Sequence, residues 1–374
     1  KMRNRKVLLL LVFLTFICSA EAQFFEDIKS KEIAQKGLDL LYNQEFEDAA
    51  IVFQTVKNRY PYHPVKHLIS ALEIEWRYLP IDKNPEQQKR YLSELEKSIT
   101  AARNLYKIPE YKKEATFFLL AAYGFTALIY NYRSDYIASA KVAQKAYSYF
   151  VESKKYRDDN PEFLFPLGLY NYYRIQYPED HPITKPLLVF FENGNKKQGL
   201  NDLETSIRTS LFSKVESNLY LANIYINYES NFKRALQISK ALSLKYPQND
   251  IYRIKYVECL LLNHQYEEAI EVNKKYFKKN LEIVELSQTT FEGFLQEHHY
   301  QNLNLALSSY ARVLKFSPEE RFTKEYRSMA YLGMARIFKA QNNPAKAKLF
   351  YKECLKNTGY NWIKKAANIE LKSL

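Results

Sequence analysis

His63 and His67 stand four apart in HPVKH, a spacing that sets two imidazoles on one helical face, where they could share a metal ion. Pro64 lies between them and marks a helix start, no cysteine is near, and no H-E-x-x-H occurs, so the reading is two histidines at a helix entrance. His298 and His299 follow Glu297 in QEHHY; adjacent side chains on a helix point apart, which makes joint ligation awkward. The carboxylate pairs Glu267–Glu268 and Glu319–Glu320 fall at helix starts or turns, where negative charge complements the helix dipole. No nucleophile elbow G-x-S-x-G, P-loop or C-x-x-C is present. The expectation is a protein with no catalytic residue, no cofactor and no metal.

The elements that carry these residues follow from composition. The chain has 374 residues, 47% of them apolar and 15% aromatic, enough for a sizeable core. It has only 8 glycines, about a third of the usual frequency. Nucleotide-binding α/β folds and tight β-hairpins need glycine for φ > 0 or close backbone approach, so an all-α fold with long helices is expected.

The first 22 residues read as an address. Lys1, Arg3, Arg5 and Lys6 form a basic start, Val7–Ile17 is an unbroken apolar run, and Ala20-Glu21-Ala22 is an A-x-A site before Gln23. These are the three parts of a secretory signal peptide, with a run too short to span a bilayer. Cys18 would suit a lipoprotein signal, but Ile17 before it is not small, so cleavage after Ala22 is expected. The rest, 23–374, reads as a single domain, soluble or peripheral. Net charge is +13, falling to +10 without the four cations and one anion of residues 1–22. A basic balance suits nucleic acid, anionic lipid or acidic partners; export argues against nucleic acid. Cys259 and Cys354 are too few and too far apart for a disulfide framework, and no disulfide is expected.

The body is built of repeats. A small residue, another 12 later, a bulky residue 4 after that, and proline 8 further on are met by Gly37, Ala49, Phe53 and Pro61. Ala335, Ala347 and Tyr351 repeat the spacing, and Val257 and Ala269 keep its first step. Ala222, Ala235 and Pro247, and Gly293, Ala306, Tyr310 and Pro318, fit with one extra residue in the turn. Ala127, Ser139 and Ala146 form a weaker copy. Each unit reads as a helical hairpin. The small residues let two helices cross closely, the bulky one fills toward the next hairpin, and proline stops the second helix. One hairpin cannot bury its apolar face alone, so units stack.

This pattern resembles the tetratricopeptide repeat, clearly over 30–64 and 216–356 and loosely over 65–215. The family's first-helix Trp and Leu-Gly pair are mostly missing. The resemblance implies a right-handed superhelix, an α-solenoid of antiparallel helix pairs. Trp362, Ile363, Ala366, Ile369 and Leu371 at helical spacing suggest a closing helix that caps the stack. Gly194, Asn195, Gly199, Leu200 and Leu203, after a Pro-containing stretch, are similar to a motif in the inclusion body clearance family of tetratricopeptide proteins. That family acts through protein contacts.

In the repeat family, ligands lie in a groove lined by first helices. Carrying those positions over selects Asn223, Asn227, Glu258, Arg336 and Lys339 as a candidate partner groove. Their mixed signs do not reproduce the family's two-carboxylate clamp. The chain also has 32 tyrosines, and Tyr170, Tyr172, Tyr173 and Tyr177 beside the Pro-rich break at 178–186 form a candidate aromatic surface. Tyrosine filling bulky repeat positions is the structural alternative. The expected function is an exported, non-catalytic scaffold, periplasmic or outer-membrane-associated, that docks a peptide or protein of the bacterial cell envelope. Alternatives are an envelope glycan module, as in SusD-like receptors that also use such repeats, and peripheral binding to anionic lipid.

Overall fold

The computed structural model describes residues 23–189, 191–275, 282–317 and 324–374. Among the described residues the fold is all-helical, with 18 α-helices and no strand. The expected signal peptide, Cys18, Pro318 and Glu319–Glu320 lie outside the described residues. The described residues form two compact units. One comprises residues up to Leu41, Phe46–Thr126 and Lys145–Ser153; the other comprises Tyr42–Glu45, Ala127–Gln144 and Lys154–Leu374. A chain of hairpins that each pack on their sequence neighbours needs no single core, and the large core cluster running from Tyr172 to Ala367 lies wholly in the second unit.

The first unit contains α1 (Ile28–Tyr42, to Leu41), α2 (Phe46–Arg59), α3 (Pro64–Arg77) and α4 (Pro85–Leu105), with the first part of α5 (Lys112–Tyr132) and the last half of α6 (Tyr136–Ser153). His63 caps α3: its Nδ1 accepts the Val65 N–H at 3.2 Å, and Pro64 takes the first helical position, where no N–H is needed. Asn84 caps α4 in the same manner, by accepting from Gln87. Helix α5 with its preceding turn, Pro109–Tyr132, is long and apolar enough to cross a membrane by length and composition. Its buried residues include Ala115, Phe118, Leu119 and Ala122, so much of its apolar character serves the packing. Phe24 and Phe25 are buried too; the Phe25 ring stacks on Phe118, and its N–H donates to Glu114 Oε1 at 2.9 Å.

The second unit opens with α7 (Leu164–Asp180), a short α8 (Lys185–Leu188) and α9 (Lys196–Thr209). Then come α10 (Lys214–Ile224, extended by a π turn over Tyr225–Glu229), α11 (Phe232–Lys245), α12 (Asp250–Leu262), α13 (Tyr266–Asn273), α14 (Glu282–His298), α15 (Leu303–Val313), α16 (Lys324–Ala340), α17 (Pro344–Asn357) and α18 (Asn361–Lys372). The small repeat residues Ala222, Ala235, Ala269, Ala306, Ala335 and Ala347 are fully buried, as is Ala49 of the first unit. Phe53, Tyr310 and Tyr351 are equally buried, while Pro61 and Pro247 follow α2 and α11 on the surface.

One turn recurs through the molecule. Gln44, Ser134, Ser230, His264, Gln301 and Asn342 have φ between 53° and 64°, and each stands two residues before the second helix of a hairpin. The next N–H closes the first helix, as Gln265 does on Leu260 O and Asn343 on Phe338 O, both at 2.9 Å. Asp135, Asn231, Asn302 and Asn343 then cap the second helix, accepting from the N–H three residues on at 3.0–3.2 Å. No glycine has positive φ; the few present let helices touch instead. A Cβ on Gly293 would stand 2.7 Å from Tyr310 Cδ1, and one on Gly333 of the next hairpin 2.5 Å from Tyr310 Cζ. The Tyr310 ring thus fills the seam between consecutive hairpins.

Candidate functional site

The first helices of the regular hairpins in the second unit, α10, α12, α14 and α16, hold the groove residues picked from the sequence. α12 packs on α14 and α14 on α16. α12 and α16 also meet directly: Tyr326 Oη of α16 donates to Glu258 Oε2 of α12 at 3.2 Å. The facing sides of α12 and α16 are therefore in contact. Glu258 is 0% exposed and carries no surface function. Besides Tyr326, it is held by Lys255 Nζ at 2.7 Å and by Tyr360 Oη at 2.7 Å. A carboxylate taken from water demands such donors, which explains why a residue placed by period on a groove wall is spent inside.

Tyr360 belongs to the short segment between α17 and α18, and that segment meets α12 and α16. Thr358 (φ −88°, ψ 139°) and Tyr360 (φ −74°, ψ 119°) are extended. The Thr358 hydroxyl donates to Glu325 Oε2 at 3.0 Å and the Gly359 N–H to Glu325 Oε1 at 2.8 Å. Asn361 Nδ2 donates to Tyr228 O at 3.4 Å, and the Trp362 ring meets Phe232 edge-on at 6.1 Å. Burial pushes the Glu325 carboxyl up, against the Gly359 and Thr358 bonds and the Lys324 charge that favour its ionised form. The closing helix α18 therefore does more than cap: it packs on α17 and α16 and also returns to Tyr225–Glu229 of the α10 hairpin. Asn223 and Asn227 on this same helix run are half-buried, and Asn227 Oδ1 is buried with no partner among the described residues.

Arg336 and Lys339 lie apart from this segment, in an open cleft of about 390 Å³ with Ala340, Asn342, Tyr351 and Glu370. Neither cation is free. Arg336 makes a forked pair with Glu297, Nε to Oε1 at 2.6 Å and Nη2 to Oε2 at 2.8 Å. Lys339 Nζ binds Glu370 Oε2 at 2.6 Å and Ser373 Oγ at 2.7 Å. Burial raises the Glu297 pKa, but the Arg336 bonds and charge outweigh it and hold the carboxyl below its usual range. His298 beside it is lowered by burial, and the Arg336 charge adds to that. The cleft thus presents compensated charge.

The candidate aromatic surface divides. Tyr172 is 0% exposed, a core residue whose hydroxyl bonds Glu229, so it is removed from that surface. Its ring stands where Gly199 allows close approach: a Cβ there would lie 2.7 Å from Gly168 O and 2.8 Å from Tyr172 N. Tyr170, Tyr173 and Tyr177 are half-buried. Tyr170 Oη donates to Glu192 O at 2.7 Å and Tyr177 Oη to Asn131 Oδ1 at 3.0 Å. Arg174 Nη2 holds Leu188 O at 2.8 Å and Phe191 O at 3.3 Å. Tyr170 and Arg174 thus pin the connector between α7 and α9, on which Ile183 (63%) and Val189 (72%) are exposed.

His63 is buried as a helix cap, and His67 pairs with Glu94 at 2.8 Å. Among the described residues no group of three His, Cys, Asp or Glu is placed to hold a metal ion. Cys259 and Cys354 are buried free thiols, both pushed up to about 12 by burial. No family model matches the chain, and no curated protein matches it. Sequence reasoning missed the role of residues 358–362. The signal present was an aromatic Tyr-Asn-Trp run directly after Gly359, between two helical patterns.

Proposed function

We propose that the protein is an exported, non-catalytic interaction scaffold of the tetratricopeptide type, in which helical hairpins wind as a right-handed superhelix and dock a protein segment of the bacterial envelope. The observation that carries this reading is the recurrent hairpin turn. Six pairs share one left-handed residue two positions before the second helix, and Ala49, Ala222, Ala235, Ala269, Ala306, Ala335 and Ala347 at their crossings are buried. Repeats of this kind present extended surfaces rather than a reaction centre. The basic start, apolar run and A-x-A site support export.

The test is cross-linked affinity capture from the native host, with a tag at the C-terminus and the chain's own leader, eluted at low and high salt. The proposal expects one or two envelope proteins at both salts. Recovery of anionic lipid or glycan alone, or binding that vanishes with salt, contradicts it.

A further inference from the structure

The last two helices of the second unit carry charge of one sign. Residues 344–374 hold seven lysines against two carboxylates, so these 31 residues supply half of the +10 carried by residues 23–374. One of the two carboxylates, Glu370, is already neutralised by Lys339 of α16. On α17 the buried side is Ala347, Tyr351 and Cys354. Lys348, Lys352 and Lys356, spaced four apart, line the opposite side, with Leu349 among them, 55% exposed. On α18 the buried side is Ile363 and Ala367, and Lys365, Ile369 (57% exposed) and Lys372 face away from it. Among the described residues none of these five lysines makes an ion pair. Like charges at i, i+4 weaken a helix, and of the three on α17 only Lys356 stands in the last turn, where a cation helps. A face that only had to stay wet would be served by mixed signs. The lysine row therefore weakens α17 without serving the fold.

We propose that the outward faces of α17 and α18 dock on an anionic lipid surface, where the lysines meet the headgroups and Leu349 and Ile369 enter the headgroup boundary. Two observations favour lipid over an acidic protein. All seven cations of residues 344–374 are lysine, a point charge suited to a fluid layer of anions; none is arginine, whose planar fork suits bidentate recognition of fixed carboxylates. Single apolar side chains also stand out among the charges, as on helices that lie in a membrane interface. Each lysine held near an anionic membrane strengthens association by about fivefold, so a row of three has a measurable effect. This surface is separate from the hairpin turns behind the scaffold reading and does not depend on that reading.

The test is co-sedimentation of residues 23–374 with vesicles, at low and high salt. Starting at Gln23 ensures that the apolar run Val7–Ile17 cannot itself hold the vesicle. The vesicles are phosphatidylcholine alone, or phosphatidylcholine with roughly a third phosphatidylglycerol, an anionic lipid. Four proteins are compared: the natural sequence; Lys348→Gln/Lys352→Gln/Lys356→Gln; Lys36→Gln/Lys89→Gln/Lys141→Gln, which removes the same charge from exposed positions elsewhere; and Leu349→Ser/Ile369→Ser. The natural sequence should bind the anionic vesicles at low salt, release them as salt rises, and bind phosphatidylcholine little. The α17 lysine variant should partition about tenfold more weakly or worse, the apolar variant about threefold, and the control lysine variant should lose less than about threefold. All these side chains are exposed, and circular dichroism checks that the helices stay intact. No partition of the natural sequence onto anionic vesicles overturns the proposal. So do equal losses in the two lysine variants, which would make net charge, and not this face, responsible. Binding of polyglutamate as tight as that of the vesicles, with no effect of Leu349→Ser/Ile369→Ser, overturns it in favour of an acidic protein partner. Failure to capture an envelope protein would count against the scaffold reading alone.

Discussion

Two ways of joining a pair of helices stand side by side in the second unit. In the hairpins from α12 to α17, a three- to four-residue turn with one left-handed residue, a capping residue and buried small side chains does the work. In the α7–α9 pair there is no such turn. The connector of residues 181–195 is held from outside itself: Arg174 grips two of its carbonyls and Tyr170 a third. Glu162 does the same after α9, accepting from the N–H groups of Leu211 (2.5 Å), Phe212 (3.1 Å) and Ser213 (2.9 Å). The difference lies in where the instruction resides. A local turn repeats with the sequence, whereas a connector fastened by distant side chains has no period to repeat.

Five changes would break or sharpen this contrast. The largest effect is expected from Tyr310→Ala, which empties the seam between Gly293 and Gly333; a loss of about 3–5 kcal/mol is predicted in urea unfolding. Next, Gly199→Ala should lose about 2–3 kcal/mol, because its Cβ meets backbone atoms that cannot swing away. Gly333→Ala meets a tyrosine ring that can shift, and about 1–2 kcal/mol is expected. The reverse order of these two glycines would break the comparison.

Acid should act on the regular hairpins in two steps. His298 is depressed below its ordinary 6.5 by burial, so the unfolded chain takes up its proton first. Stability should fall as pH drops below about 6.5, the unfolded value, and level off once the folded state also protonates. Glu297 is also depressed, through Arg336; its contribution is present above the unfolded pKa and is lost as pH falls through the lower folded value. A urea-midpoint profile against pH checks both, and His298→Gln should remove only the upper step. The smallest effect is expected at the turn itself. Gln301 is exposed at φ 55°, so Gln301→Gly should gain about 0.5 kcal/mol by relieving a left-handed side chain, net of the added unfolded-state freedom.

How much of this was legible follows the same divide. The helical class, the hairpin turns and the buried alanines could be read because they rest on contacts within one repeat. Glu258 could not: its period places it on a first-helix face, and only the arrival of Tyr326 and Tyr360, 68 and 102 residues later, buries it. Tyr172 was misplaced for a similar reason, since Gly199 lets another helix close over it. Arg336 and Lys339 line one cleft, but their neutralising partners Glu297 and Glu370 lie on other helices, 39 and 31 residues away. The six left-handed residues were hidden because none of them is glycine.

The central claim is that the regular hairpins are held neighbour to neighbour. Amide hydrogen exchange of Gly333→Ala against the natural chain tests it most directly. The account predicts lost protection over α14–α17, which share the Tyr310 seam, with α7 and α9 unchanged. An equal loss of protection across α7, α9 and α14–α17 would contradict it.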